Sequence, residues 1–237
     1  MNQSRKNEIE RLEKEAEERN IESMFEYAQR LRDGKGVMID KKRAANYFKK
    51  AADLGHIESI HSYADMLLKG EGIKQDNSEH SKYIKMSADS GDVRMMLEYA
   101  RLCEERNNEE ESVKYCKMAA DHGDVFGQFN YGSKLRLGIG IHKNMNESIK
   151  YFKLAADQGF PFAITALASI FKNGEGVEVN NEEALKYFKI GADHGHIQSI
   201  FEYGKMLKNG EGTEKNEKMA AEYLKVAAEN NHNEAMF

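Results

Sequence analysis

The sequence predicts an all-α fold, specifically a right-handed α-solenoid of about six stacked antiparallel helix pairs. First, one pattern recurs with a period of 36 residues, and a period of this length is typical of repeat arrays. Second, apolar residues inside each repeat follow one another at spacings of three and four, which places them on one face of a helix. Third, glycines separate these helical segments while the chain contains a single proline.

The period divides the chain into a terminal helix, six full repeats and a partial one. Residues 1–16 look like the second half of a repeat and are predicted to cap the array, since an exposed apolar end needs a cover. The full repeats are predicted at 17–52, 53–88, 89–120, 121–156, 157–192 and 193–228. Residues 229–237 begin a partial seventh repeat. The third repeat is shorter and lacks the glycines of the others.

Each repeat is predicted to begin with a helix that ends on a glycine. In the first repeat Met24, Tyr27, Ala28 and Leu31 form its apolar stripe, and the small residue after Tyr lets a neighbouring helix approach closely. Glycine takes the left-handed backbone conformation of a helix end without steric cost. The predicted helix ends are Gly34, Gly70, Gly138, Gly174 and Gly210, each followed two residues later by a second glycine.

The second helix of each repeat is predicted to begin after an Asp or Asn whose side chain accepts hydrogen bonds from the first turn. These residues are Asp40, Asp76, Asn108, Asn144, Asn180 and Asn216. Glu79, Glu147 and Glu183, three residues further on, are predicted to reach back and complete a reciprocal cap. Pro161 is predicted in the first turn of a helix, where its missing N–H is harmless.

The combination of these motifs resembles the Sel1-like repeat family, a relative of the tetratricopeptide repeats. The resemblance rests on the small residue after Tyr, on Gly-x-Gly, on the Ala, Tyr-Phe and Ala-Ala pattern of the second helix, and on Asp-x-Gly between repeats. It covers residues 5–237 and implies a scaffold or adaptor that holds other proteins or peptides. Some secreted members carry one disulfide per repeat, a pattern that this chain lacks.

Composition excludes several classes of partner. With 40 acidic and 35 basic residues the chain lacks the basic excess expected of nucleic-acid binding. No apolar run is long enough to span a membrane, and the charged N-terminus does not read as a secretory signal. Cys103 and Cys116 fall at apolar positions and are predicted as buried thiols. We therefore expect a soluble cytoplasmic protein.

The motifs that suggest catalysis or metal binding have simpler structural explanations. His56, His122 and His196 recur because the turn between repeats recurs, and turns spaced along an array do not converge on one metal ion. Gly-x-Gly has no strand before it and no Lys-Ser or Lys-Thr after it, which argues against nucleotide binding. No nucleophile with a neighbouring base is found. We predict no enzymatic activity, metal or cofactor.

The predicted binding surface is the concave face, lined by the first helices of the repeats. Its positions vary between repeats while the core positions do not. The partner-binding residues predicted there are Phe25, Gln29, His61, Arg101, Phe126, Phe129, Arg136, Phe162, Lys172, Phe201, Lys205 and Lys208. Phe126, Phe129 and Phe162 form an aromatic patch, and the C-terminal cations form a basic edge. This combination suits a peptide with apolar anchors and acidic residues; the alternative, that the phenylalanines are core, stays open here.

The function that this reading favours is a protein–protein interaction scaffold. One alternative is a regulatory subunit that docks on an enzyme by its outer face. A hydrolase is favoured least, because no residue is available to nominate as its nucleophile. End-to-end self-association through Ala235, Met236 and Phe237 is a further alternative for the partner.

Overall fold

The structure is a computed structural model that describes residues 3–230, and within them it contains helices and no strand. Predicted residues 1 and 2 of the terminal cap lie outside this range, as do Ala235, Met236 and Phe237 of the partial seventh repeat. The helices are α1 Gln3–Glu17, α2 Ile21–Asp33, α3 Lys41–Ala52, α4 Ile57–Lys69, α5 Asn77–Asp89, α6 Val93–Glu105, α7 Glu109–Asp121, α8 Val125–Leu137, α9 Met145–Asp157, α10 Pro161–Asn173, α11 Asn181–Asp193, α12 Ile197–Asn209 and α13 Glu217–Glu229.

The chain divides into two compact units, one ending at Arg106 and one beginning at Asn107. The division falls in the short connection of the third repeat, where the glycine loop is missing. In the N-terminal unit, helices α1 to α6 each pack against the next helix along the chain, and in the C-terminal unit α7 to α13 do the same. Packing between sequence neighbours is the mark of a solenoid, and the predicted all-α solenoid of helix pairs is confirmed.

The fourth repeat illustrates how the glycine loop joins two repeats. Gly138 ends α8 in the left-handed conformation, with φ of 72°. Gly140, with φ of 67°, lies against the first residue of α7, and a methyl group on it would come within 2.5 Å of the carbonyl oxygen of Glu109. The second glycine is therefore required both for its backbone conformation and for the close approach of the preceding repeat.

The predicted caps of the second helices are confirmed, but the reciprocal caps are not formed. Asn144, for example, accepts a hydrogen bond from the N–H of Glu147 at 3.1 Å. The N–H of Asn144 itself donates to the carbonyl of Leu135 in α8 at 2.9 Å. Since that donor is already used, Glu147 bonds the Asn144 side-chain amide instead. The same backbone bond occupies the N–H groups of Asp76 and Asn180, so Glu79 and Glu183 make ion pairs with lysines.

Tyrosines join the two helices of a repeat and also join neighbouring repeats. Tyr131 and Tyr151 meet edge to face with ring centroids 4.7 Å apart, and the Tyr151 hydroxyl donates at 3.1 Å to Asp121, the last residue of α7. Burial raises the pKa of Tyr131 to about 12. Burial, followed by the hydrogen bond to Asp121, raises the pKa of Tyr151 to about 12. Burial likewise raises the pKa of Tyr27 to about 12.

These shifts predict that alkaline pH unfolds the protein. A folded-state pKa above the unfolded value of about 10 gives stability that is complete below pH ~10 and is lost as pH rises toward about 12. We expect urea midpoints to fall across this window, with phenolate absorbance appearing together with unfolding. Tyr151→Phe should make the decline shallower. Tyrosines that titrate normally while helicity is retained would contradict this explanation.

Candidate functional site

An aromatic cluster lies on the first helices of the fourth and fifth repeats, α8 and α10, and on the turns before α10 and α12. We define it as Phe126, Phe129, Phe160, Phe162 and His196. The Phe160 ring is central, with centroids 5.3 Å from Phe126, 5.2 Å from Phe129 and 5.5 Å from Phe162. The rings of Phe162 and His196 are 6.2 Å apart. These distances are typical of favourable aromatic pairs.

The cluster has a buried base and an exposed top. Phe129 is half-buried and packs on the core residue Phe152, with ring centroids 5.6 Å apart. Phe126 and Phe162, by contrast, are 54% and 60% exposed. The three phenylalanines therefore do not share one environment. Phe129 is anchored in the core, while Phe126 and Phe162 present aromatic surface to solvent.

The repeats themselves identify Phe126 and Phe162 as unusual. The same position in the other repeats is polar in every case, held by Glu22, Glu58, Arg94 and Gln198. Packing inside a repeat therefore does not require an aromatic side chain at this position. The two phenylalanines occur in adjacent repeats, which brings them to the same part of the surface.

Phe160 is the member of the cluster that the sequence reading missed. It occupies the residue before α10, where Asp92 and Asp124 cap α6 and α8 by accepting a backbone hydrogen bond. Phe160 makes no such side-chain bond. The available signal was an aromatic residue at a cap position, which leaves backbone N–H groups of the first turn without a side-chain acceptor.

His196 contributes a neutral ring to the cluster. Its Nδ1 lies 3.0 Å from the Ser199 hydroxyl and 3.2 Å from that of Thr165. Burial lowers its pKa, so the ring is uncharged near neutral pH. His56 is a turn residue as predicted: its ring accepts a bond from the Ser59 N–H at 3.2 Å.

The predicted residues of the N-terminal unit are engaged in contacts between or within helices. Phe25 packs against the His56 ring at 4.8 Å, and His61 lies 2.8 Å from Asp92. Arg101 is exposed and pairs with two glutamates on its own helix. Gln29 is half-buried on α2. Phe25 also contacts the ring of the buried residue Phe48, with centroids 5.8 Å apart.

Phe201 does not belong to an accessible surface, which corrects its assignment to the binding face. It is only 4% exposed and lies in the core formed by α12 with its neighbours. The ammonium of Lys205 covers its ring, 4.9 Å from the centroid. A partner would reach Lys205 before it reached this phenylalanine.

The predicted basic edge is largely neutralised by acids from loops and from the next repeat. Arg136 donates to both carboxylate oxygens of Glu175, with an Nε–Oε2 distance of 3.0 Å, and these hydrogen bonds lower the pKa of Glu175. Lys172 donates to Glu202 at 2.8 Å. Lys208 is exposed at the end of α12.

A small polar pocket of about 220 Å³ adjoins the cluster. Thr165 connects the two, since it lines the pocket and contacts His196. The other lining residues are Ser169, Lys172, Asn173, Phe188, Gln198, Glu202 and Lys205. Hydroxyl, amide and charged groups here offer both donors and acceptors to a bound chain.

Three other features of the described residues bear on function: potential metal ligands, the cysteines and the apolar character of the helices. Among residues 3–230, no three His, Cys, Asp or Glu side chains are grouped so as to hold a metal ion. Cys103 and Cys116 are both buried, as predicted. None of the helices between Gln3 and Glu229 combines the length and apolar character needed to cross a membrane.

Comparison with known proteins identifies the repeats. A family model described as the Sel1 repeat matches residues 21–56, 57–92, 95–124, 125–160, 161–196 and 197–232. These segments begin four to six residues after the predicted repeats, and the predicted boundaries stay a prediction. A search of curated proteins gave no match.

Two solved structures show the same fold. One is c5321, a protective antigen present in uropathogenic Escherichia coli strains, with a TM-score of 0.74, 23% identity and coverage of 97% of this chain. This chain spans 50% of that protein's length. The other is a Sel1 repeat protein from Oxalobacter formigenes, with a TM-score of 0.58, 24% identity and coverage of 88% of this chain and 85% of that one.

Sel1-repeat proteins are generally non-catalytic scaffolds for protein–protein interaction. The matched segments cover most of this sequence and carry the glycine loops, the caps and the tyrosine pairs described above. The chain belongs to the Sel1 repeat family.

Proposed function

We propose that this chain is a non-enzymatic scaffold that binds a peptide or partner protein on the first helices of its C-terminal unit, with the aromatic cluster as the anchor. The single observation that carries the proposal is the exposure of Phe126 and Phe162 at positions that are polar in the other repeats. Exposed aromatic side chains grouped on a rigid surface are typical of the anchors of protein interfaces.

The lack of a side-chain cap at Phe160 supports the same proposal. The N–H of Ala163 donates to the Phe160 carbonyl at 3.1 Å, whereas the corresponding N–H of Gly127 donates to the side chain of Asp124. A side-chain cap of the Asp124 type contributes about 1 kcal/mol. Local rules of this kind are broken mainly at functional sites, where another benefit outweighs the loss of stability. Here the benefit is a continuous aromatic surface.

Charge gives little preference for an acidic partner. Helices α8, α10 and α12 carry five basic residues and one acidic residue, but Arg136 and Lys172 are paired with Glu175 and Glu202, and Lys134 is buried against Glu109. The proposal therefore rests on the aromatic anchors. The buried thiols Cys103 and Cys116 support placing this scaffold in a reducing compartment such as the cytoplasm.

A displayed library of random peptides tests the proposal. Peptides selected on the full chain should lose at least about tenfold in affinity when Phe126→Gln and Phe162→Gln are combined, because apolar contact area is removed. Glutamine is the residue that the sixth repeat carries at this position, Gln198. The double variant should therefore keep the unfolding midpoint of the wild type.

Three results would contradict the proposal. One is a selection that yields no binding peptide. Another is a set of selected peptides that bind the double variant as tightly as the wild type. The third is a large fall in the unfolding midpoint, which would identify Phe126 and Phe162 as core residues and is incompatible with their proposed role.

A further inference from the structure

A second exposed apolar pair lies at the opposite end of α8 from the aromatic cluster. Leu137 and Ile139 are 63% and 40% exposed. The other glycine loops carry polar residues in place of Leu137, namely Asp33, Lys69, Asn173 and Asn209, and in place of Ile139, namely Lys35, Glu71, Glu175 and Glu211. As with Phe126 and Phe162, an exposed apolar residue stands where the repeat pattern places a polar one.

The two apolar sites lie on one side of α8. Phe126, Asn130, Ser133 and Leu137 follow at spacings of four, three and four, which aligns them along the helix. Leu137 lies eleven positions after Phe126, which corresponds to a distance of roughly 16 Å at about 1.5 Å per residue.

The surface between the aromatic cluster and the pair Leu137 and Ile139 is formed by small polar side chains. Ser133 is half-buried, with its hydroxyl bonded to the Phe129 carbonyl at 2.9 Å. On the neighbouring helix α10 the half-buried side chains are Thr165 and Ser169. Small side chains here leave room for a partner to lie between the apolar ends.

The spacing distinguishes a helical partner from an extended one. An extended chain covers roughly 16 Å in about five residues, and side chains an odd number apart point to opposite faces. In a helix, side chains eleven positions apart are separated by the same distance and share a face. The arrangement of two anchors on one side therefore matches a helix.

We infer that the segment bound at this site is an amphipathic helix of about three turns, with one apolar residue on the aromatic cluster and a second on Leu137 and Ile139. This inference rests on the proposed function.

The test uses peptides of about four helical turns selected from a random displayed library. Binders should carry two large apolar residues eleven positions apart. Leu137→Asn combined with Ile139→Glu introduces residues that other repeats carry, so the fold should persist while affinity falls about tenfold or more. Met38→Lys, which removes a 90% exposed apolar side chain from another loop, should leave affinity unchanged.

The outcomes separate this inference from the proposed function. If the Leu137 and Ile139 variant binds as the wild type does while the Phe126 and Phe162 variant fails, the aromatic cluster alone is the site and the two-anchor helix is wrong. If neither variant loses affinity, both conclusions are wrong. Selected peptides that bind without two anchors at this spacing would also overturn the inference.

Discussion

Replacing Phe152 with alanine is expected to lower the free energy of unfolding by about 3–5 kcal/mol, the cost typical of removing a buried phenylalanine. Phe152 is 1% exposed in α9 and lies in the core of the fourth and fifth repeats. Gly132 of α8 is so close that a methyl group on it would lie 3.0 Å from the Phe152 ring. Because the surrounding backbone is already closely packed, the cavity would collapse only in part. Urea unfolding measures the loss.

Leu154→Ala is the matched control for Phe152→Ala. It lies on the same helix but is 40% exposed, so its loss should be under about 1 kcal/mol. Hydrogen exchange should show lost protection in α8, α9 and α10, since repeats stabilise one another mainly through neighbours. Equal losses in the two variants would contradict the assignment of Phe152 to the core. The aromatic cluster should also weaken as a binding site, because Phe129 rests on Phe152.

The sequence predicted the backbone of each repeat because its signals are local. Helix ends depend on a glycine such as Gly138, and helix starts depend on a cap such as Asn144, both of which act within a few residues. The apolar stripes then follow from helical spacing. For the same reason the shorter third repeat was visible in the sequence before the structure placed the division of the chain there.

The sequence predicted the site less well because a surface depends on contributions from neighbouring repeats. Nothing near Arg136 in the sequence indicates that it is paired, because its partner Glu175 lies 39 residues away. Phe201 and Phe129 hold the same repeat position, yet one is buried in the core and the other supports an exposed cluster. Phe160 was not predicted as a site residue because its position was assigned to a turn. The sequence does show an aromatic residue where the third and fourth repeats carry the capping residues Asp92 and Asp124.

Replacing Gly140 with alanine is expected to cost about 2–5 kcal/mol, from two separate effects. The left-handed backbone, with φ of 67°, costs an alanine about 1–2 kcal/mol. The new methyl group would also lie 2.5 Å from the Glu109 carbonyl oxygen and 2.6 Å from its carbon, and overpacking of this kind costs about 1–3 kcal/mol. The obstacle is backbone, so no side-chain rotation relieves it.

Gly123→Ala separates the two effects, because Gly123 has φ of 84° but nothing within 4 Å of an added methyl group. It should lose only the conformational part, about 1–2 kcal/mol. The difference between the two variants then measures how tightly the loop of the fourth repeat packs on the start of α7. Hydrogen exchange at the first turn of α7 should rise in Gly140→Ala alone. If the two variants lose the same stability, the glycine is needed for its backbone conformation and the close approach contributes nothing.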